Sequence, residues 1–98
     1  MKTKKVDDLS IEELNEQVAL CQGWVKSLDY DPCHNAQQAY EIIEREKISV
    51  KHRNFPKIKK ENDWQADIAG SYFATGETAL IAAMRCFVKS IKGEEVQL

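Results

Sequence analysis

The 98-residue sequence is short of the patterns that mark well-known chemistries. Glycine occurs four times and never in a cluster. That excludes a Gly-rich phosphate loop or a Walker motif. No Ser elbow and no HExxH occurs either. Cysteine occurs three times, at intervals of twelve and fifty-three residues. An odd count at those intervals is neither a disulfide framework nor a CxxC site, and the expectation is a reduced cytosolic protein. Neither sign of charge dominates. A formal net charge of −2 predicts no strong general attraction to nucleic acid or to an anionic membrane. No apolar run approaches the ~18 residues that cross a bilayer. The opening Met1-Lys2-Thr3-Lys4-Lys5 is basic but leads into Val6-Asp7-Asp8, so it does not read as a secretory signal. Internal repeats and low-complexity segments are also lacking.

What is there suits one globular domain over residues 1–98. A hydrophobic content of 43% beside 31% charge provides for a single modest core and argues against wholesale disorder. Residues 1–8 and 94–98 are polar and are expected to fray.

Three helices are expected. Ser10-Ile11-Glu12-Glu13 has the spacing of a capping box, and Leu9 with Leu14 that of a hydrophobic staple. Ile11, Leu14, Val18 and Cys21 then share a face, and Gly23 ends the helix, placing it at 11–22. A second helix runs from Asn35 to Lys47. Asn35 is a reasonable N-cap, and Ala36, Ala39, Tyr40 and Ile43 share a side, with Ile42 beside them. The third is the most apolar stretch in the chain. It begins at Thr75 or Gly76 and ends at Gly93. Leu80, Met84, Phe87 and Ile91 form its buried stripe, with Arg85, Lys89 and Lys92 on the opposite side.

The strand signals are shorter. Residues 24–28 alternate loosely, 48–52 continue from the second helix, and 64–69 alternate apolar and polar. The last two are expected to pair antiparallel across a basic loop, Lys51 to Lys60. Gly70 to Thr75 leads into the third helix. The fold class expected is α+β: a small antiparallel sheet of two or three strands packed with three helices, in the order α-(β)-α-β-β-α.

Three segments carry a family resemblance. Thr78-Ala79-Leu80-Ile81-Ala82-Ala83-Met84-Arg85-Cys86-Phe87-Val88 resembles the C-terminal signature of the NinX family of small phage and prophage proteins. Ile42-Ile43-Glu44-Arg45-Glu46-Lys47-Ile48 is similar to that family's central motif. Leu14-Asn15-Glu16-Gln17-Val18-Ala19 with Gly23-Trp24 is similar to its opening helix. The family usually has a Pro before the apolar run, where this chain has Thr78-Ala79. The resemblance implies a small antiparallel sheet with helices packed on it, in the manner of a wider phage group described as an α-β-α sandwich. It also implies the cytoplasm of a bacterial host cell. It implies no catalytic activity and no cofactor.

The residues themselves leave few candidates for chemistry. Cys33-His34 is the one adjacent pair of catalytic or metal-binding types. Asp29, Asp31 and His52 are the residues that would have to complete a site there, and no spacing joins them. Cys21 and Cys86 lie on apolar helical faces as small hydrophobes. Glu44 and Glu46 are two apart on a helix and do not face each other, so they make no acid–base pair. The basic loop is the strongest polar feature. Lys51, Arg53, Lys57, Lys59 and Lys60 with Phe55 have the make-up of a phosphate-and-stacking contact. They also suit a solvated hairpin connection whose charge discourages edge pairing. Trp64, Tyr72 and Phe73, with Arg85, are the candidates for an interaction patch. Arg85 is polar within an apolar run and reads as a solvent-facing or sheet-edge ion-pair partner.

The function expected is that of a non-enzymatic phage accessory protein acting by contact with an unidentified protein partner, a homodimer being one form of that contact. A nucleic-acid binder using the basic loop is the second reading, and an enzyme or metal site at Cys33 and His34 the third. Neither catalytic residues nor a metal site are assigned, and no cofactor or membrane partner is expected.

Overall fold

The hydrogen bonds that begin the first helix are those the sequence calls for. Ser10 Oγ accepts from the Glu13 N–H at 3.1 Å, and Glu13 Oε1 accepts from the Ser10 N–H at 2.9 Å. In the computed structural model, which describes residues 2–24, 29–53 and 63–97, helix α1 accordingly runs from Ile11 to Cys21. Leu14 and Val18 are fully buried, with Leu9 and Val6 packed ahead of them. Gly23 follows with φ 77°, a left-handed conformation that favours glycine. Trp24 lies beyond it. The strand expected at 24–28 falls, from Val25 onward, outside the described residues.

Helix α2 spans Ala36–Glu46, and Asn35 Oδ1 accepts from the Gln38 N–H at 3.1 Å. Its buried face differs from the one expected. Ala39 and Ile42 are buried, while Ala36 and Tyr40 are exposed. Spacings of three and four describe two faces offset by one position, and the neighbouring elements select the one that carries Ile42. Lys47 ends α2 in the left-handed region at φ 55°.

Strand β2, Ile48–His52, pairs antiparallel with β3, Trp64–Ile68, as expected. The segment after Ile68 is a correction. It is a turn followed by a third strand, β4, at Tyr72–Gly76, and the sheet order is β2-β3-β4. Ala69 and Gly70 take φ 53° and 72°, and the Ser71 N–H donates to Ile68 O at 2.9 Å, so the chain reverses within a few residues. Helix α3 therefore starts later than Thr75 or Gly76. It spans Ala79–Lys92, and Thr78 Oγ1 accepts from the Ile81 N–H.

The terminal segments are a second correction. Thr3–Lys5, here β1, pairs antiparallel with Glu95–Gln97, here β5. A 3-10 turn at Val6–Asp8 connects β1 toward α1 and buries Val6 completely. The fold is α+β, and helix, helix, strand, strand, helix follow one another in the order expected. β4 and the terminal ribbon are additions.

Helix α3 is the centre of the molecule. It packs on β2, β3 and β4 on one side and on α1 and α2 on the other. Ile81, Ala82, Ala83, Met84, Cys86, Phe87 and Val88 are all buried, so the helix is enclosed on several faces and not on one stripe. Small residues permit its close approach to the sheet. Ala66 and Ala74 lie beneath it, and a Cβ on Gly76 would stand 2.7 Å from the Ala82 nitrogen. The expected stripe is thus widened and rotated. Ile91, expected inside, is half exposed; Lys89, expected outside, is 7% exposed.

Candidate functional site

The Cys33-His34 segment is held by amide side chains from both flanking helices. Asn15, buried on α1, donates from Nδ2 to Asp31 Oδ1 at 2.7 Å and accepts the Cys33 N–H on Oδ1 at 3.2 Å. Gln38 on α2 accepts the Asp31 N–H at 2.7 Å and donates to Asp29 O at 3.0 Å. His34 Nδ1 lies 3.0 Å from Asp31 Oδ2. Burial by itself would raise the Asp31 pKa, but the bonds from Asn15 and His34 outweigh it and hold the carboxyl below its ordinary value. Cys33 is fully buried, and burial together with the Asp31 charge pushes its thiol up to about 12. A thiol in that setting is poorly suited to form the thiolate that nucleophilic attack or metal binding requires. These polar groups fix a loop between α1 and α2. Cys86 is likewise pushed up to about 11, first by burial and then by Asp67. Among the described residues, no three His, Cys, Asp or Glu side chains converge in a way that could hold a metal ion.

A second polar feature lies along the outer edge of β4. Arg85 donates from Nη1 to Thr75 O at 2.8 Å, and Lys89 donates from Nζ to Phe73 O at 3.3 Å. The spacings match. Four residues of helix rise ~6 Å and two residues of strand ~6.8 Å. Consecutive turns of α3 therefore reach consecutive outward carbonyls of the strand. Lys89 also pairs with Asp7 at 3.0 Å and Glu94 at 3.6 Å, which satisfies a cation otherwise costly to bury. Arg85 lies at the sheet edge with a backbone carbonyl as its partner, and among the described residues it makes no ion pair of the kind expected. Its Nε is buried without a hydrogen bond.

The expected patch of Trp64, Tyr72, Phe73 and Arg85 is not one surface. Trp64 pairs with Gly76 at one end of the β3–β4 ladder and Tyr72 with Ile68 at the other. That separation is four strand residues, ~13 Å. Trp64 packs edge-on against His52, with ring centroids 5.1 Å apart. Tyr72 and Phe73 are consecutive, so they point to opposite faces of the sheet, both substantially exposed. Of the basic loop, Lys51 is exposed on the sheet face turned away from α3, and Arg53 is half-buried, its N–H donating to Asp63 O at 2.6 Å. Phe55, Lys57, Lys59 and Lys60 lie outside the described residues.

The structure instead gathers apolar surface where the C-terminal ends of α1 and α3 meet. Leu20, Trp24 and Ile91 are 46%, 49% and 50% exposed. Trp24 and Ile91 line a groove of about 290 Å³ with Cys21, Phe87 and Arg45. The Arg45 guanidinium stands 5.9 Å over the Phe87 ring and donates to Gln22 Oε1. Trp24 packs edge-on against Tyr30, with ring centroids 5.5 Å apart. Trp24 follows the end of α1, beyond Gly23, so no helical spacing marked it for this end. Ile91 was concealed by its place on an apolar stripe.

Fold and site together define a small α+β protein built on one enclosed helix, in which Asn15, Arg85 and Lys89 hold backbone groups. Its family can be stated. The family described as Bacteriophage P22, NinX matches residues 20–90, and the chain belongs to it. Comparison with curated proteins gives no match. The family places the chain among phage proteins, in agreement with the resemblance carried by residues 14–24, 42–48 and 78–88.

Proposed function

We propose that this phage accessory protein is non-enzymatic and acts in the bacterial host cytoplasm by protein–protein contact, a homodimer being one form of that contact. The observation that carries the reading is the apolar wall formed by Trp24 and Ile91 where α1 and α3 end, each about half exposed. Exposed apolar side chains gathered at one end, with Arg45 and Glu46 beside them, have the composition of a contact surface. The β4 edge supports contact by side chains over strand addition, because Lys89 and Arg85 already occupy its outward carbonyls.

Affinity capture from infected cells, read by mass spectrometry, tests this with paired baits. Wild type is expected to retain at least one protein that Trp24→Asp/Ile91→Asp loses, with both baits equally folded by circular dichroism. Identical captures from the two baits would end the reading. Light scattering decides the homodimer: the expected mass is twice 11.2 kDa, falling to the single value in the same variant.

A further inference from the structure

The two ends of the chain are tied to each other by backbone and to the rest of the molecule by side chains. β1 and β5 form a sheet of their own, with Lys4 opposite Val96, and the Val6 N–H donates to Glu94 O at 2.9 Å. Among the described residues, no backbone hydrogen bond runs from either strand to the β2-β3-β4 sheet, to α1 or to α2. Each strand has the other as its backbone partner, so neither stays paired once the other leaves. A two-stranded ribbon is marginal in water by itself and depends on the side chains that seat it.

That seat is narrow. Val6 and Val96 are its buried apolar anchors. The other attachments are charged: Lys4 with Glu13 at 2.8 Å, and Lys89 with Asp7 at 3.0 Å and Glu94 at 3.6 Å. Between the ribbon and the helices lies a space of about 510 Å³. Thr3, Val96 and Gln97 wall it on the ribbon side, and Gln17, Leu20 and Lys92 on the helix side. Facing surfaces held apart by such a space forgo the dispersion contacts that close packing supplies. The helix surface beneath is polar in good part, and Gln17, Lys89 and Lys92 regain water when it is uncovered. Lys89 also keeps a partner without the ribbon, because it donates to Phe73 O on β4. Gly93, between α3 and β5, takes φ 86° with nothing within 4 Å of the place of a Cβ, so the chain has room to turn there.

We infer that the terminal ribbon is a detachable strap. β1, the Val6–Asp8 turn and β5 release together, while the three helices and the β2-β3-β4 sheet stay folded. Release uncovers the strip of α1 and α3 that carries Gln17, Lys89 and Lys92. The inference goes beyond the protein-contact reading and does not depend on it.

Native-state hydrogen exchange on the full ¹⁵N-labelled chain tests this, with urea raised in steps below the unfolding transition. Val6 bonds to Glu94, and two residues along the ladder the Lys4 and Val96 amides bond across the ribbon. These three amides are expected to exchange through one common opening, roughly a hundredfold faster than the Ala66 and Met84 amides of β3 and α3. Val96→Asp removes one anchor. It should leave the Lys4 and Val6 amides unprotected and those of Ala66 and Met84 still protected. Ribbon amides that exchange only at the rate of Ala66 and Met84 would overturn the strap, because the ends would then open with the whole domain. Unrelated rates for Lys4, Val6 and Val96 would overturn it as well, as would a Val96→Asp chain that no longer folds.

Discussion

Lys89 shows how one residue's role depends on groups distant in sequence. Its cation is buried against Asp7, eighty-two positions earlier, and donates to Phe73 O. A buried cation that loses its counter-charge is far less stable than an apolar side chain in the same place. Asp7→Ala is therefore expected to lower unfolding free energy by about 1–3 kcal/mol, whereas Lys89→Met should cost much less. Urea denaturation of the two variants decides it, and equal losses would contradict the pairing. Asp31 gives a pH dependence. Its pKa is lowered in the folded state by Asn15 and His34, against burial. The folded chain then holds the proton less tightly than the unfolded one, so the stabilisation is present above the ordinary pKa of 3.8 and is lost as pH falls through the folded value. Asp31→Asn should flatten the acid limb of a stability-versus-pH curve and leave neutral pH less affected in slope.

At the scale of elements, caps were legible and faces were only partly so. Ser10, Asn35 and Thr78 each accept from the amide three residues on. Such bonds are local, and a sequence displays them directly. The last helix was expected to start at Thr75 or Gly76, and its cap at Thr78 became visible only once β4 was seen to occupy Tyr72–Gly76. β4 was hidden because Tyr72-Phe73-Ala74-Thr75 has no clean alternation, although Ala69-Gly70-Ser71 is acceptable turn chemistry. Two backbone positions make opposite predictions. Lys47 sits at φ 55° at the end of α2. Lys47→Gly should raise stability by about 1 kcal/mol by relieving the left-handed strain. Gly76 has no room for a Cβ, with backbone atoms of α3 as close as 2.7 Å. Gly76→Ala should lower stability by about 1–3 kcal/mol. Thermal melts of the pair check both signs.

Over the whole molecule, the modest net charge of −2 and the scattered exposed aromatics favour discrete contacts over a broad electrostatic surface. The nucleic-acid reading is separable on this ground. If the basic 51–60 segment makes phosphate contacts, affinity for a short duplex or single strand will fall steeply with salt. Titration by fluorescence anisotropy from 20 mM salt upward is expected to show no such slope, and Lys51→Glu/Arg53→Glu to change nothing. The candidate surfaces moved for a related reason. Trp64, Tyr72 and Phe73 are near one another in the chain, but a sheet sends consecutive side chains to opposite faces and separates the ends of a ladder. Trp24 and Ile91 come from distant segments and meet only because α1 and α3 end side by side.

By itself the sequence determined the helix starts at Ser10 and Asn35, the pairing of β2 with β3, the α+β class and the family. Each rests on short-range hydrogen bonds, on periodicity, or on a contiguous run such as Leu80 to Phe87. Tertiary structure alone decided that the terminal segments form a ribbon, that β4 exists, and that Lys89 is inside and Ile91 half outside. These depend on which segments meet across the fold. Burial and charge pairing belong to the assembled neighbourhood of a residue, and a one-dimensional pattern records only its nearest part.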